Sequence, residues 1–153
     1  MDELDKKILR VLQRDARLSF TKIAEVVGTS TVTVSERVRK LHDAGIIRAY
    51  TTLLNTSKLG MVSLIAMVRV KPKCSVADVG AKISALDEAC CVHNVTGDFD
   101  FLVGLRCFGH EQCATVIDKI KAIEGVEHVS THLVLRTFKE EPYVGLQSHR
   151  LTS

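Results

Sequence analysis

No apolar run in this 153-residue chain reaches the roughly 18 residues that a helix needs to cross a membrane, so no membrane partner is expected. The opening MDELDKKIL carries acids where a secretion signal carries basic residues, and no such signal is expected either. Cysteine is present in an odd number: Cys74, Cys90, Cys91, Cys107 and Cys113 make no disulfide framework and fit a reducing, cytoplasmic compartment. Nothing brings together a nucleophile, a base and an orienting group, and no phosphate-binding glycine loop is present, which argues against an enzyme. No cofactor is expected. Charge of neither sign dominates, since 21 Lys and Arg against 18 Asp and Glu leave +3.

That small excess is unevenly placed. Residues 1–50 hold 10 basic and 7 acidic residues, whereas residues 51–153 hold 11 of each. The whole formal charge therefore sits on the segment that contains SFTKIAEVVGTSTVTVSERVRKL, residues 19–41. This stretch reads as helix, tight turn, helix. Ser19 suits an N-cap, Ile23, Ala24 and Val27 share one face, and Gly28 supplies the positive φ of a tight turn. Ser30 suits the next N-cap, and Val34, Val38 and Leu41 recur as one buried stripe. The opposite side carries Val32, Glu36, Arg39 and Lys40, with Thr33, Ser35 and Arg37 at its flanks. A basic, hydroxyl-rich second helix behind a glycine turn, over about residues 21–40, has the form of a helix-turn-helix that enters a major groove.

Candidate DNA-facing residues are Ser30, Thr31, Val32, Thr33, Ser35, Arg39 and Lys40. Valine and threonine methyls suit a thymine methyl, hydroxyls suit phosphates and base edges, and Arg39 suits guanine or phosphate. Arg37 belongs to the same set, but its helical angle lies nearer the core, so it is expected to position the helix. Before this motif, Leu4, Ile8, Val11 and Leu12 make a first amphipathic helix opened by acids. After it, residues 46–54 (IIRAYTTLL) read as a short strand or wing, and 55–60 (NTSKLG) as a polar connection.

The remainder contains a repeat at an offset of 37 residues. Arg69 matches Arg106, Ala77 Ala114, Val79 Val116, Lys82 Lys119, Ile83 Ile120, Ala85 Ala122 and Val92 Val129. Each copy reads strand, helix, strand: LIAMVRVK, SVADVGAKISAL, ACCVHNVT, then FLVGLRCF, HEQCATVIDKIKAI, VEHVSTHLVLRTF. Ser75 and Asp78 suit a capping box on the first of these helices. Two such copies give βαββαβ, a ferredoxin-like domain with both helices on one sheet face. The other face needs a cover, and a second copy of the chain is the expected one.

Residues 5–47 carry D-x-x-I-L-x-x-L-x-x-D-A-R, then I-A, then G-x-S-x-x-T-V-x-x-R-V-x-x-L-x-x-x-G-I-I. This pattern resembles the leucine-responsive/asparagine-responsive (Lrp/AsnC, feast/famine) regulators, and the second half matches them in its order of elements, including VTGDFD at 95–100. The resemblance implies an α+β chain: a winged helix-turn-helix DNA-binding domain (1–55), a linker (56–62) and a ferredoxin-like, RAM/ACT-like effector and assembly domain (63–153). It implies a transcription regulator of double-stranded DNA that forms a homodimer and, above it, an octamer of four dimers. It also implies a small effector, an amino acid, held between dimers beside Gly97, Asp98, Phe99 and Asp100. The family's Gly and Asp of this turn match Gly97 and Asp100. Ordinary hairpin chemistry explains the same turn residues, so a ligand-independent architectural regulator is the alternative. A small-molecule module and an enzyme stand behind it.

Two further groupings bear on metal chemistry. Cys107-x-x-His110-x-x-Cys113 lacks a fourth ligand, and pairing about the 95–100 turn sets Cys90 opposite Cys107. Both are read as small buried hydrophobes, with no metal expected. Arg69 and Arg106 are read as solvated ends of amphipathic strands.

Overall fold

The computed structural model describes residues 1–140 and 144–146. The chain divides into two units. The first comprises residues 1–53 with Glu140 and the described residues 144–146, and the second runs from Leu54 to Lys139.

Three helices form the first unit: α1 (Glu3–Arg14), α2 (Phe20–Val27) and α3 (Thr31–Asp43). Each begins on a side-chain cap. Asp2 caps α1, Ser19 caps α2 and Ser30 caps α3, each accepting from a backbone N–H three residues on. Gly28 closes α2 at φ +76°, where its N–H donates to the Ala24 carbonyl, and Thr29 N–H donates to the same oxygen. The apolar stripes of the three helices meet in one core of Ile8, Leu9, Leu12, Ile23, Ala24, Val34, Val38, Leu41 and Ile47. Ile8, Ile23 and Val34 are fully buried at its centre.

Residues 46–54 form no strand. A strand's backbone groups are satisfied by a neighbouring strand, and this segment has none in the single chain. Instead the Tyr50 ring lies 5.4 Å from that of His42, while Ile46, Leu53 and Leu54 stay exposed. In the C-terminal tail, Val144 exchanges two hydrogen bonds with the Gln13 side chain, at 2.8 and 3.2 Å, and Leu146 packs on the helical core.

The second unit is β1 (Met61–Val70), α4 (Val76–Ser84), β2 (Ala89–Asn94), β3 (Phe101–Phe108), α5 (Gly109–Lys121) and β4 (Val126–Leu133). The sheet is antiparallel in the order β2-β3-β1-β4, the ferredoxin-like arrangement. The last strand is shorter than expected, ending at Leu133, and the Ser75 cap on α4 is one-sided: its hydroxyl accepts from Asp78 N–H without the reciprocal bond. Strand alternation sends Leu64, Ala66, Val68 and Val70 of β1, with Phe101, Val103, Leu105 and Cys107 of β3, toward the helices. Val79 and Ile83 of α4 and Val116 and Ile120 of α5 meet them, so two of the repeat's matched pairs are matched core positions. The opposite face carries Ser63, Ile65, Met67 and Arg69 of β1, Leu102, Gly104 and Arg106 of β3, and His128, Ser130 and His132 of β4. Among the described residues no helix covers it, and Ile65, Met67 and Leu102 at its centre are half-buried.

Ile120 is fully buried among these strands and helices. Ile120→Ala is expected to destabilise the second unit by about 2–5 kcal/mol through lost burial and a residual cavity. Urea unfolding should show a lowered midpoint for the sheet transition, with the helical first unit unchanged.

Candidate DNA-reading helix and effector turn

The first turn of α3 is set by its own hydroxyls. Ser30 Oγ accepts from Thr33 N–H at 3.1 Å and lies 2.8 Å from Thr33 Oγ1, so two of the expected DNA-facing residues are tied to each other. Thr31, Val32, Ser35, Glu36, Arg39 and Lys40 are exposed, and Val32 shows 69% of its surface. An exposed valine in the middle of a basic face has no role in the core and offers a methyl surface outward. Glu36 is exposed on the same face, so the face is mixed in charge rather than a plain cationic stripe.

Arg37 has a different task. Its Nη1 donates to Asp2 Oδ2 at 2.5 Å and to Asp5 Oδ1 at 3.3 Å. Asp2 and Asp5 also cap each other across the start of α1: Asp5 N–H donates to Asp2 Oδ1 at 2.9 Å, and Asp2 N–H donates to Asp5 Oδ2 at 2.8 Å. Arg37 therefore clamps the reading helix to the first turn of α1. The Asp5 N–H, joined by the Arg37 guanidinium, holds the Asp2 carboxyl below its ordinary value, and Asp2 in turn raises Arg37. Asp5 is the one buried charged residue among the described residues. The Asp-x-x-Asp spacing at residues 2–5 is a capping-box signal in the sequence, but the partner 32 residues on is visible only in the fold.

The turn between β2 and β3 is built with equal economy. Gly97 takes φ +115°, and no atom stands where a side chain would go. Asp100 is held from several sides: its N–H donates to the Val68 carbonyl, its Oδ2 accepts from Val70 N–H at 2.7 Å, and its carbonyl accepts from Val95 N–H and Asn94 Nδ2. The Asp100 carboxylate is thus partly consumed in fastening the turn to β1. Asp98 is the exposed carboxylate of the turn. Arg69 is exposed near the end of β1, and it is also engaged: its Nε donates to the Asp98 carbonyl at 3.0 Å and its guanidinium stacks 5.3 Å over the Phe99 ring. Phe99 also lies 6.4 Å from the His128 ring. Arg69, Asn94 and His128 were missed as members of this site because strand register, not sequence spacing, carries them to it.

Cys107 and Cys113 are buried in the sheet–helix core, while His110 is exposed. Burial, with Cys113 beside it, pushes the Cys107 thiol up to about 12, as befits a small core hydrophobe. Cys90 does not face Cys107. The turn sets Asn94 opposite Phe101, a register that brings Cys90 level with Leu105 rather than Cys107, and a bulge then pairs Ala89 with Leu105 and Cys91 with Gly104. Among the described residues no group of three His, Cys, Asp or Glu is placed to hold a metal.

The comparisons with known proteins coincide with this division. Residues 1–42 match the AsnC-type helix-turn-helix domain, and residues 63–144 match the Lrp/AsnC ligand binding domain. The chain belongs to the Lrp/AsnC family of transcriptional regulators. It is 34% identical over 141 residues to the HTH-type transcriptional regulator FL11 of Pyrococcus abyssi, covering 92% of this chain and 93% of that one. Among solved structures it is similar to E. coli AsnC, with a TM-score of 0.82, 27% identity and 92% and 95% of the two chains covered. It is likewise similar to a transcriptional regulator of Neisseria meningitidis solved as its complex with L-Met, with a TM-score of 0.86, 26% identity and 95% and 97% covered. As a Lrp/AsnC regulator the chain pairs a helix-turn-helix for DNA with a ligand-binding domain. No helix among the described residues is long and apolar enough to cross a membrane.

Arg37→Ala should lower the melting temperature of the first unit while leaving the second unit's unchanged. The pH dependence has a fixed sign. A carboxyl with a depressed folded-state value adds stability above its unfolded value and loses it as pH falls through the folded value. The melting difference between wild type and Arg37→Ala should therefore be full at neutral pH and shrink below about pH 4.

Proposed function

We propose that α3 enters the major groove and reads it through Thr31, Val32, Ser35, Arg39 and Lys40. Ser30 and Thr33 shape the helix start, and Arg37 fixes its angle. The observation that carries this reading is the exposed Val32 between hydroxyls and cations on a capped helix behind a glycine turn. One copy brings few cations to phosphate, so we assign binding to a homodimer that places two copies on half-sites about one helical turn, roughly 10 bp, apart. The uncovered sheet face, with Ile65, Met67 and Leu102 at its centre, supports pairing of the second units. Higher assembly to an octamer rests on the family resemblance. The protein acts as a regulator rather than an enzyme, in the cytoplasm with the DNA it controls.

The second unit senses a small effector, an amino acid, beside Gly97–Asp100. The L-Met complex of the Neisseria relative supports that ligand class. At this turn, the open Gly97 surface gives room for a ligand's carboxylate end, and the exposed Asp98 carboxylate suits an ammonium group. A ligand bound across an assembly contact favours the assembled state by linkage, and a coupling of about 1–3 kcal/mol changes occupancy several-fold.

Replacing both Arg39 and Lys40 by Ala should weaken binding to duplex DNA and lower the slope of log affinity against log salt by up to about 4, two cations on each of two copies. Unchanged affinity and slope would move the DNA surface elsewhere. Calorimetry against the twenty amino acids, paired with light scattering, tests the sensing half. We expect one of them to bind and shift assembly, and Gly97→Leu to abolish the response while the protein stays folded. Binding of none at millimolar concentration would favour the ligand-independent architectural reading. A monomer at micromolar concentration would overturn the dimer.

A further inference from the structure

Two copies that pair through the helix-free sheet face set each of its side chains against the same set from the partner. Strand register fixes what that set is. Leu102 of β3 lies between Met67 of β1 and His93 of β2, and Ile65 of β1 lies between Gly104 of β3 and His132 of β4. Residues directly opposed in an antiparallel pair share a face, so each row of the apolar centre continues into an imidazole one strand, about 5 Å, away. His93 closes one row on the β2 side, and His132 closes the next on the β4 side. His128 lies opposite Arg69, with its ring 6.4 Å from that of Phe99. Among the described residues no Asp or Glu occupies a strand position of this face.

We propose that this face is an acid-sensitive pairing surface: neutral His93 and His132 extend its apolar centre, and their protonation separates the two copies. The inference rests on the pairing proposed above and supplies its regulation. A stable interface covers about 800 Å² on each partner, more than Ile65, Met67 and Leu102 can provide, so the imidazoles beside them are covered too. The surroundings favour the neutral ring. His93 faces Leu102, and His132 faces Ile65 and lies 3.4 Å from the Ser130 hydroxyl. His128 faces Arg69, and Arg106 of β3 is engaged within the chain. Of the carboxylates at the turn, Asp98 is exposed beside Arg69 and Asp100 is bonded to Val70 N–H. The partner brings the same histidines and arginines. An imidazolium there loses water and meets like charge, so the separated copies bind more protons and pairing weakens as pH falls. Imidazoles change charge between about pH 5 and 8, which places the response near neutrality. Because DNA binding is assigned to the dimer, acid also loosens the hold on DNA.

Sedimentation velocity on the full-length protein at about pH 7.5 and about pH 5.5 is the test, with circular dichroism to follow folding at both. Four imidazoles per dimer titrate together, so the dimer dissociation constant of wild type should rise at least about 100-fold over this range. In the double variant His93→Gln, His132→Gln the side chains stay polar but cannot be charged, and the same change of pH should shift its constant by less than about tenfold. The glutamine variant also controls for acid unfolding, since it keeps every other titrating group. Met67→Lys, at about pH 7.5 throughout, tests the pairing by itself and should leave a folded monomer. The acid response is overturned if wild type pairs equally well at both pH values, or if the glutamine variant weakens with acid as much as wild type does. A Met67→Lys protein that pairs as tightly as wild type would instead overturn pairing through this face, a failure seen without any change of acidity.

Discussion

A four-stranded sheet with both of its helices on one side buries only one face, and much of this molecule follows from that asymmetry. Residues of β1 and β3 that point to the helices are aliphatic, phenylalanine or cysteine and almost wholly buried. Those pointing the other way are mixed: Ile65, Met67 and Leu102 in the middle, with Arg69, Arg106, His128 and His132 around them. An apolar centre within a polar rim is the anatomy of protein–protein interfaces, and it is the ground on which we propose that this face pairs with a second copy. It cannot be mistaken for a core, since charged groups border it, nor for an ordinary solvated face, since its centre is aliphatic.

The two functional regions reach rigidity by the same device. Each uses one carboxylate or one guanidinium to satisfy several groups at once. Asp2 accepts from the Asp5 N–H and from Arg37, and so joins the start of α1 to the middle of α3. Asp100 accepts from Val70 N–H while its backbone engages Val68, Asn94 and Val95. In both places a residue that looks from outside like a ligand contact is spent on holding the neighbours that remain free. On α3 those neighbours are Arg39 and Lys40; on the turn they are Gly97 and Asp98.

Local signals and periodicity made much of this legible in advance. Ser19, Ser30 and Gly28 announced helix ends by chemistry that acts within three residues, and Val34, Val38 and Leu41 announced their buried stripe. The 37-residue repeat gave the sheet unit its order of elements, because Val79 and Val116, or Ile83 and Ile120, must fill equivalent core positions. What stayed hidden depends on long-range register. The register set at the turn, Asn94 opposite Phe101, keeps Cys90 from Cys107, the bulge shifts the start of β2 by one residue more, and neither leaves a mark in the spacing. Arg69 meets Asp98 and Phe99 because β1 ends beside the turn. Residues 46–54 have strand composition but no partner in the single chain, and composition carries no information about partners. Val144 and Leu146 settle on the first unit through Gln13 and an apolar patch that only the folded helices create.

The first turns of α3 have one more consequence. Residues 29–35, TSTVTVS, contain no charge, no glycine and no proline, and five of the seven are β-branched, four of them, Thr31 to Val34, in consecutive positions of the helix. Such residues favour extended chain over helix, so α3 is helical because Ser30 caps it and the core of α1 and α2 receives Val34 and Val38. When the first unit opens, this segment of the proposed reading helix becomes free to pair edge to edge with its counterpart in another molecule. The fold that presents these side chains on a helix is therefore also what keeps their backbone out of strand pairing.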